Sequence, residues 1–188
     1  MSEPSTATPG QTIGPFFHDA LPYERGHELI PPATPGAVRL HGTVYDGSGA
    51  PIPDALLEIR QAGPGGEVPR AEGSLRRDDT VFTGWGRAAT DHAGRYAFTT
   101  LEPAATTPGA APFFSVVVFA RGLLNRLFTR AYLPGPATGS DPFVTGLEPA
   151  QRDTLLATRE ADGSLRFDIH LQGDRETVFL TFPRHGER

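Results

Sequence analysis

The chemistry available to this chain begins with six His and four Tyr. His stands at 18, 27, 41, 92, 170 and 185, and Tyr at 23, 45, 96 and 132. No two His have one, three or four residues between them, so no spaced imidazole pair announces a metal site. His41 and Tyr45 are four apart in a segment of period two and project from one face. An imidazole and a phenolate together suit hard Fe(III). An amphipathic surface strand carries the same pair, and that plainer reading is preferred. No G-x-S-x-G is present, and Gly47-Ser48-Gly49 reads as a turn. A Ser-His-Asp triad is defined by geometry, and nothing in the sequence singles one out.

Anion recognition is better represented. Arg121, Arg126 and Arg130 fall close together, and a guanidinium grips carboxylates bidentately. Arg126 reads as a solvated turn residue. Arg130 follows Phe128 within a strand and is the better candidate to face a cleft. A second candidate is Thr12-Ile13-Gly14-Pro15-Phe16-Phe17, where Gly permits close backbone approach and Pro fixes the path. It reads as a packing arm or as backbone lining a pocket shared with another chain.

These residues need elements to hold them. Residues 1–36 are Pro-rich and aperiodic, an arm with one short turn near Phe16–Asp19. Its apolar residues Ile13, Phe16, Phe17 and Leu21 call for a surface to lie on, its own or a partner's. Alternation predicts strands at 37–46 and 54–62, with a turn at 46–49 between them. Residues 86–90 and 95–100 flank Asp91-His92-Ala93-Gly94, a hairpin signal. The stretch 113–121 (FFSVVVFAR) is nearly continuous in apolarity, as in a strand buried on both faces. Further strands are expected at 126–133, 165–171 and 177–182, a helical turn within 147–156, and loops at 63–80 and 101–112. Residues 37–188 then form one all-β domain, a two-sheet antiparallel β-sandwich.

Composition agrees. Among 188 residues, Gly (22) and Pro (19) exceed a fifth of the chain, which leaves little room for long helices. The chain has no Cys, and all 17 of its basic residues are Arg. That excludes disulfides, thiolate chemistry, Fe–S ligation, Schiff bases and P-loop chemistry. A net charge of −5 disfavours nucleic acid. No apolar run approaches the ~20 residues of a membrane span. The polar start MSEPSTATPGQT lacks a signal core, so a cytoplasmic protein is expected.

Five stretches in this order carry a resemblance: TPGQTIGPFFH, GTVYDGSGAPIPDALLEIRQA, GRAATDHAGRYAFTTLEP, VFARGLLNRLFTRAYLPG and RFDIHLQGDRETVFLTF. The chain resembles the intradiol ring-cleaving dioxygenases, nearly end to end. Within them it is most similar to the iron-free alpha subunits that work beside an iron-bearing beta subunit. The resemblance implies a β-sandwich with arms. It implies opening of a catechol ring between its hydroxyls, with both atoms of dioxygen inserted. The expected substrate is protocatechuate and the product 3-carboxy-cis,cis-muconate, in the β-ketoadipate route of aromatic catabolism.

The family holds nonheme Fe(III) with two Tyr and two His. At those four places this chain has Val68, the run Ala104-Ala105-Thr106-Thr107, Phe113 and Ser115. The resemblance therefore assigns no catalytic and no metal-binding residue to this chain. It implies that Fe(III) is held by the partner beta subunit, within a higher alpha/beta oligomer, and that this chain alone is inactive. It gives Thr12, Gly14, Pro15 and Arg130 a substrate-binding role beside the partner's iron, and puts Phe16 where the family usually has Tyr. A different class remains open. GTVYDGSGAPIPDALLEI also looks like the first hairpin of a transthyretin-like or carboxypeptidase-regulatory-like module, which binds or scaffolds without catalysis.

Overall fold

The computed structural model describes residues 12–14, 16–70 and 77–182. Its strands are β1 (Ala37–Tyr45), β2 (Leu56–Gln61), β3 (Trp85–Ala89), β4 (Arg95–Leu101), β5 (Phe113–Phe119), β6 (Leu127–Tyr132), β7 (Thr158–Arg159), β8 (Leu165–Arg166) and β9 (Ile169–His170). One sheet runs β4-β1-β8-β7, with β9 also on β1; the other runs β3-β2-β5-β6. The long pairings are antiparallel, while the short β8 and β9 run parallel to β1.

The two sheets face each other because alternate residues on each are apolar. Leu40, Val44, Phe98, Leu165 and Ile169 come from one layer. Leu57, Ile59, Phe114, Val116, Val118 and Ala131 come from the other. Each of the Leu, Ile, Val and Phe side chains contributes about 1.5–3 kcal/mol by leaving water. The expected strands at 37–46, 54–62, 86–90, 95–100 and 126–133 all form.

β5 departs from the expectation of burial on both faces. Phe114, Val116 and Val118 are buried, but Phe113, Ser115, Val117 and Phe119 are half-buried. The sandwich has two layers, so the outer face of this central strand lacks a full third layer. Near Phe113 the segment after β6 covers it. Tyr132, Ala111, Val144 and Leu155 form a second small core there, with Phe113 and Phe143 packed against it.

Residues 177–182 form no strand. They cross the open edge of the sandwich: the Thr177 amide donates to the His170 carbonyl, and the Leu180 amide to the Phe128 carbonyl. With partners on both sheets in turn, the segment has no continuous ladder. The described residues add three short α-helices, α1 (Phe17–Ala20), α2 (Pro142–Thr145) and α3 (Pro149–Asp153), and a 3-10 turn at Pro136–Ser140. α1 and α3 occupy the turns expected near Phe16–Asp19 and within 147–156. The arm's second half packs on the sandwich itself: Leu29 and Ile30 are buried, and Glu28 bridges to Thr99.

Candidate functional site

Two loops and the start of β5 enclose a pocket of about 180 Å³. Its lining includes Val68, Ala104, Thr106, Phe113 and Ser115, so the four ligand places named by resemblance converge on one cavity. The loops are tied together by backbone. The Gly63 amide donates to the Glu67 carbonyl, and the Ala104 amide to the Gly63 carbonyl. Gly66 has φ +85°, and a Cβ there would overlap the Ala105 carbonyl, so this approach requires glycine.

Gln61 and Arg60, also in the lining, were not singled out from sequence. The signal for Gln61 was a polar residue on the parity of Leu57 and Ile59. Its buried amide donates to the carbonyls of Leu101 (2.7 Å) and Ala62 (3.2 Å) and accepts from the Thr100 hydroxyl (2.6 Å). These bonds fix the pocket floor to the loop after β4. Arg60 is exposed beside Ser115, its register partner on β5.

Arg130 pairs with the same Ser115 from β6. Its Nη1 donates to the Tyr132 Oη at 2.9 Å. Its guanidinium lies 4.3 Å from the Phe113 ring centroid and 5.5 Å from that of Phe143. Burial pushes the Tyr132 hydroxyl above its ordinary value, and the Arg130 bond and charge pull it partly back. The Asp141 carboxylate caps α2, accepting from the amides of Phe143 and Val144, and also accepts the Ala111 amide. It thereby sets Phe143 over Arg130 and Ala111 against the pocket.

The arm residues lie elsewhere. The Thr12 hydroxyl accepts the Gly122 amide at 3.1 Å. Ile13 sits with Leu123, Leu124 and Arg126 at the tip of the β5–β6 hairpin, and Gly14 takes φ +76°. Pro15 lies outside the described residues. Arg130 is three residues along β6 from the tip end of the strand, about 10 Å at the usual rise. Within one chain, Thr12 and Arg130 do not share a site.

The remaining candidates resolve into packing. Arg121 pairs with Asp54 at 3.1 Å, and the Arg126 guanidinium lies 5.0 Å from the Phe128 ring. His41 and Tyr45 share a face but take different partners. His41 meets Glu160 at 3.0 Å, while Tyr45 stacks on His170 with centroids 4.8 Å apart. Among the described residues no three His, Cys, Asp or Glu gather as a metal site would need.

The sandwich and its pocket define a class. The family model described as "Dioxygenase" matches residues 13–173, and the chain belongs to that family, the intradiol dioxygenases. It is 34% identical to the protocatechuate 3,4-dioxygenase alpha chain of Burkholderia cepacia, over 92% of this chain and 96% of that one. It is 36% identical to the alpha chain of Pseudomonas putida, over 93% and 96%. The beta chain of Burkholderia cepacia is 34% identical over 87% of this chain and 74% of its own. Among solved structures, the dioxygenase domain of a carbohydrate-binding fusion from Streptomyces sp. SirexAA-E is 28% identical with TM-score 0.56, covering 89% of this chain and 99% of that one. The match extends far beyond the first hairpin, on which the transthyretin-like reading rested, and so sets that reading aside.

The family's iron does not fit the residues of this pocket. Val, Ala and Phe have no donor atom, and the Ser115 and Thr106 hydroxyls are weak neutral donors in place of phenolate and imidazole.

Proposed function

We propose that this chain is the alpha subunit of a protocatechuate 3,4-dioxygenase, working with a beta subunit that carries Fe(III). The observation that carries this reading is a contrast. The chain is similar to alpha chains over nearly its whole length, yet the cavity at the family's ligand places lacks ligands. The pair would cleave protocatechuate with dioxygen to 3-carboxy-cis,cis-muconate in the cytoplasm, within a higher alpha/beta assembly. Among the described residues no helix is long and apolar enough to cross a membrane.

This chain's part is to complete the partner's cavity. Residues 1–36 act as the arm, its second half packed on this chain's own sandwich and its first half docking on the partner. Ile13, Phe16 and Leu21 are exposed along it, and Leu124 is exposed at the hairpin tip that holds Thr12. Apolar side chains grouped this way favour a covering surface. Thr12, Gly14 and Pro15 then bring backbone to the substrate, and Arg130 supplies positive potential for its carboxylate. Because Thr12 and Arg130 occupy separate places in one chain, the partner's surface is what unites them.

Co-expression with a beta subunit tests this. The complex should bind iron and consume oxygen on addition of protocatechuate, while the chain purified alone does neither. Stoichiometric iron bound tightly by the isolated chain would overturn the division of labour.

A further inference from the structure

We propose that the pocket between the 63–68 loop, the 104–106 loop and β5 is itself a binding site, for a small monocyclic aromatic carboxylate. Its volume of about 180 Å³ is set by Ala62, Val68, Ala104, Ala111 and Phe113. An apolar cavity of roughly 150 Å³ admits a benzene ring. Ala62 and Ala111 are buried at its back, whereas Val68 is 53% exposed at its rim. An exposed Val beside a Phe wall favours a ring over bulk water.

The polar groups at the mouth specify charge. Arg60 and Ser115 are register partners, so their Cβ atoms stand about 5 Å apart on the outer face. Among the described residues Arg60 has one hydrogen bond, a long 3.5 Å contact from Nη2 to the Pro69 carbonyl, and no carboxylate partner. The Ser115 and Thr106 hydroxyls are without hydrogen-bond partners among the same residues. Glu58, on the same face of β2, is held by Arg87 at 2.6 Å and does not compete. A ring in the apolar part thus presents its carboxylate to a free guanidinium fork and two hydroxyls. A metal ion has no ligands here, and a neutral aromatic leaves Arg60 unused.

The test uses the full chain without partner or iron, so its failure is read separately from failure of the proposed function. Titration of 4-fluorobenzoate, followed by fluorine NMR, should give saturable one-to-one binding. Arg60→Gln should weaken it roughly tenfold or more, the scale of a lost charge-assisted hydrogen bond. Ala104→Leu should fill the cavity from a loop and abolish binding. Neutral 4-fluorobenzyl alcohol should bind roughly tenfold more weakly than the acid. Circular dichroism melting confirms that each variant folds; both sites lie away from the main core. No saturable binding up to about 10 mM would sink the proposal. So would binding indifferent to both substitutions, or equal binding of alcohol and acid.

Discussion

Arg130 shows how a residue legible in sequence gains its geometry from elsewhere. Its strand and its charge are visible in L-F-T-R-A-Y. Its clamp is not, because Phe113 and Phe143 reach it from β5 and from the capped turn of α2, and only tertiary packing joins the three. Held on two rings and on Tyr132, the guanidinium is oriented before any ligand arrives. Arg130→Ala removes cation–π contacts worth about 0.5–2 kcal/mol and a hydrogen bond worth about 1. The chain should lose about 1–3 kcal/mol in urea unfolding. Without the neighbouring cation the Tyr132 hydroxyl should titrate still higher, visible in the tyrosinate absorbance. In the alpha/beta complex the KM for protocatechuate should rise with assembly intact. Lost stability with unchanged kinetics would make Arg130 a packing residue only. Arg60 was harder to see: nothing in sequence marks it until the register places it across from Ser115.

At the scale of elements, the long strands were legible because alternation and turn residues specify them locally. The seam where β1 changes partner was not. β1 pairs first with Leu165 and Arg166, then with Ile169 and His170. Between them Phe167 and Asp168 step out of the parallel ladder. The gap is bridged by the Phe167 amide donating to the His41 carbonyl, and by the Asp168 carboxylate accepting the Thr43 amide at 3.0 Å. The buried Tyr96 hydroxyl donates to the Phe167 carbonyl. The Phe167 carbonyl lies where a Cβ on Gly42 would stand. Gly42→Ala should therefore force this rigid backbone apart, at a cost of about 3 kcal/mol or more, beyond an ordinary overpacking loss. Chemical denaturation of the variant checks this. A loss below about 1 kcal/mol would show that the seam yields easily. Sequence alone offers only a glycine within a strand, which signals close approach without naming what approaches.

The whole molecule is a sandwich whose connections repeat one device. Asp46, Asp78, Asp91 and Asp162 each open a turn by accepting hydrogen bonds from residues just ahead. The bonds come chiefly from the hydroxyls of Ser48, Thr80 and Ser164, and for Asp91 from the Arg95 amide; they hold all four carboxyls below the ordinary value. Two of these turns, Asp46-Gly47-Ser48 and Asp91-His92-Ala93-Gly94, were plain in sequence, since the side chain mimics a backbone turn locally. A lowered carboxyl pKa in the fold means the unfolded chain binds more protons in acid. The stabilisation is complete above the unfolded value of about 3.9 and fades as pH falls through the lower folded values. Asp78, Asp91 and Asp162 are exposed and Asp46 is only half-buried, so each share is small. The expected profile is a melting temperature that drops on acidification below about pH 5. Asp91→Asn keeps an acceptor but cannot titrate, so its melting temperature should fall less steeply over that range. Hydrogen bonds from neutral hydroxyls and amides, not the net charge of −5, set most of this slope, so added salt should leave most of the difference between variant and parent in place. An identical acid slope in Asp91→Asn would show that this turn has no part in the titration.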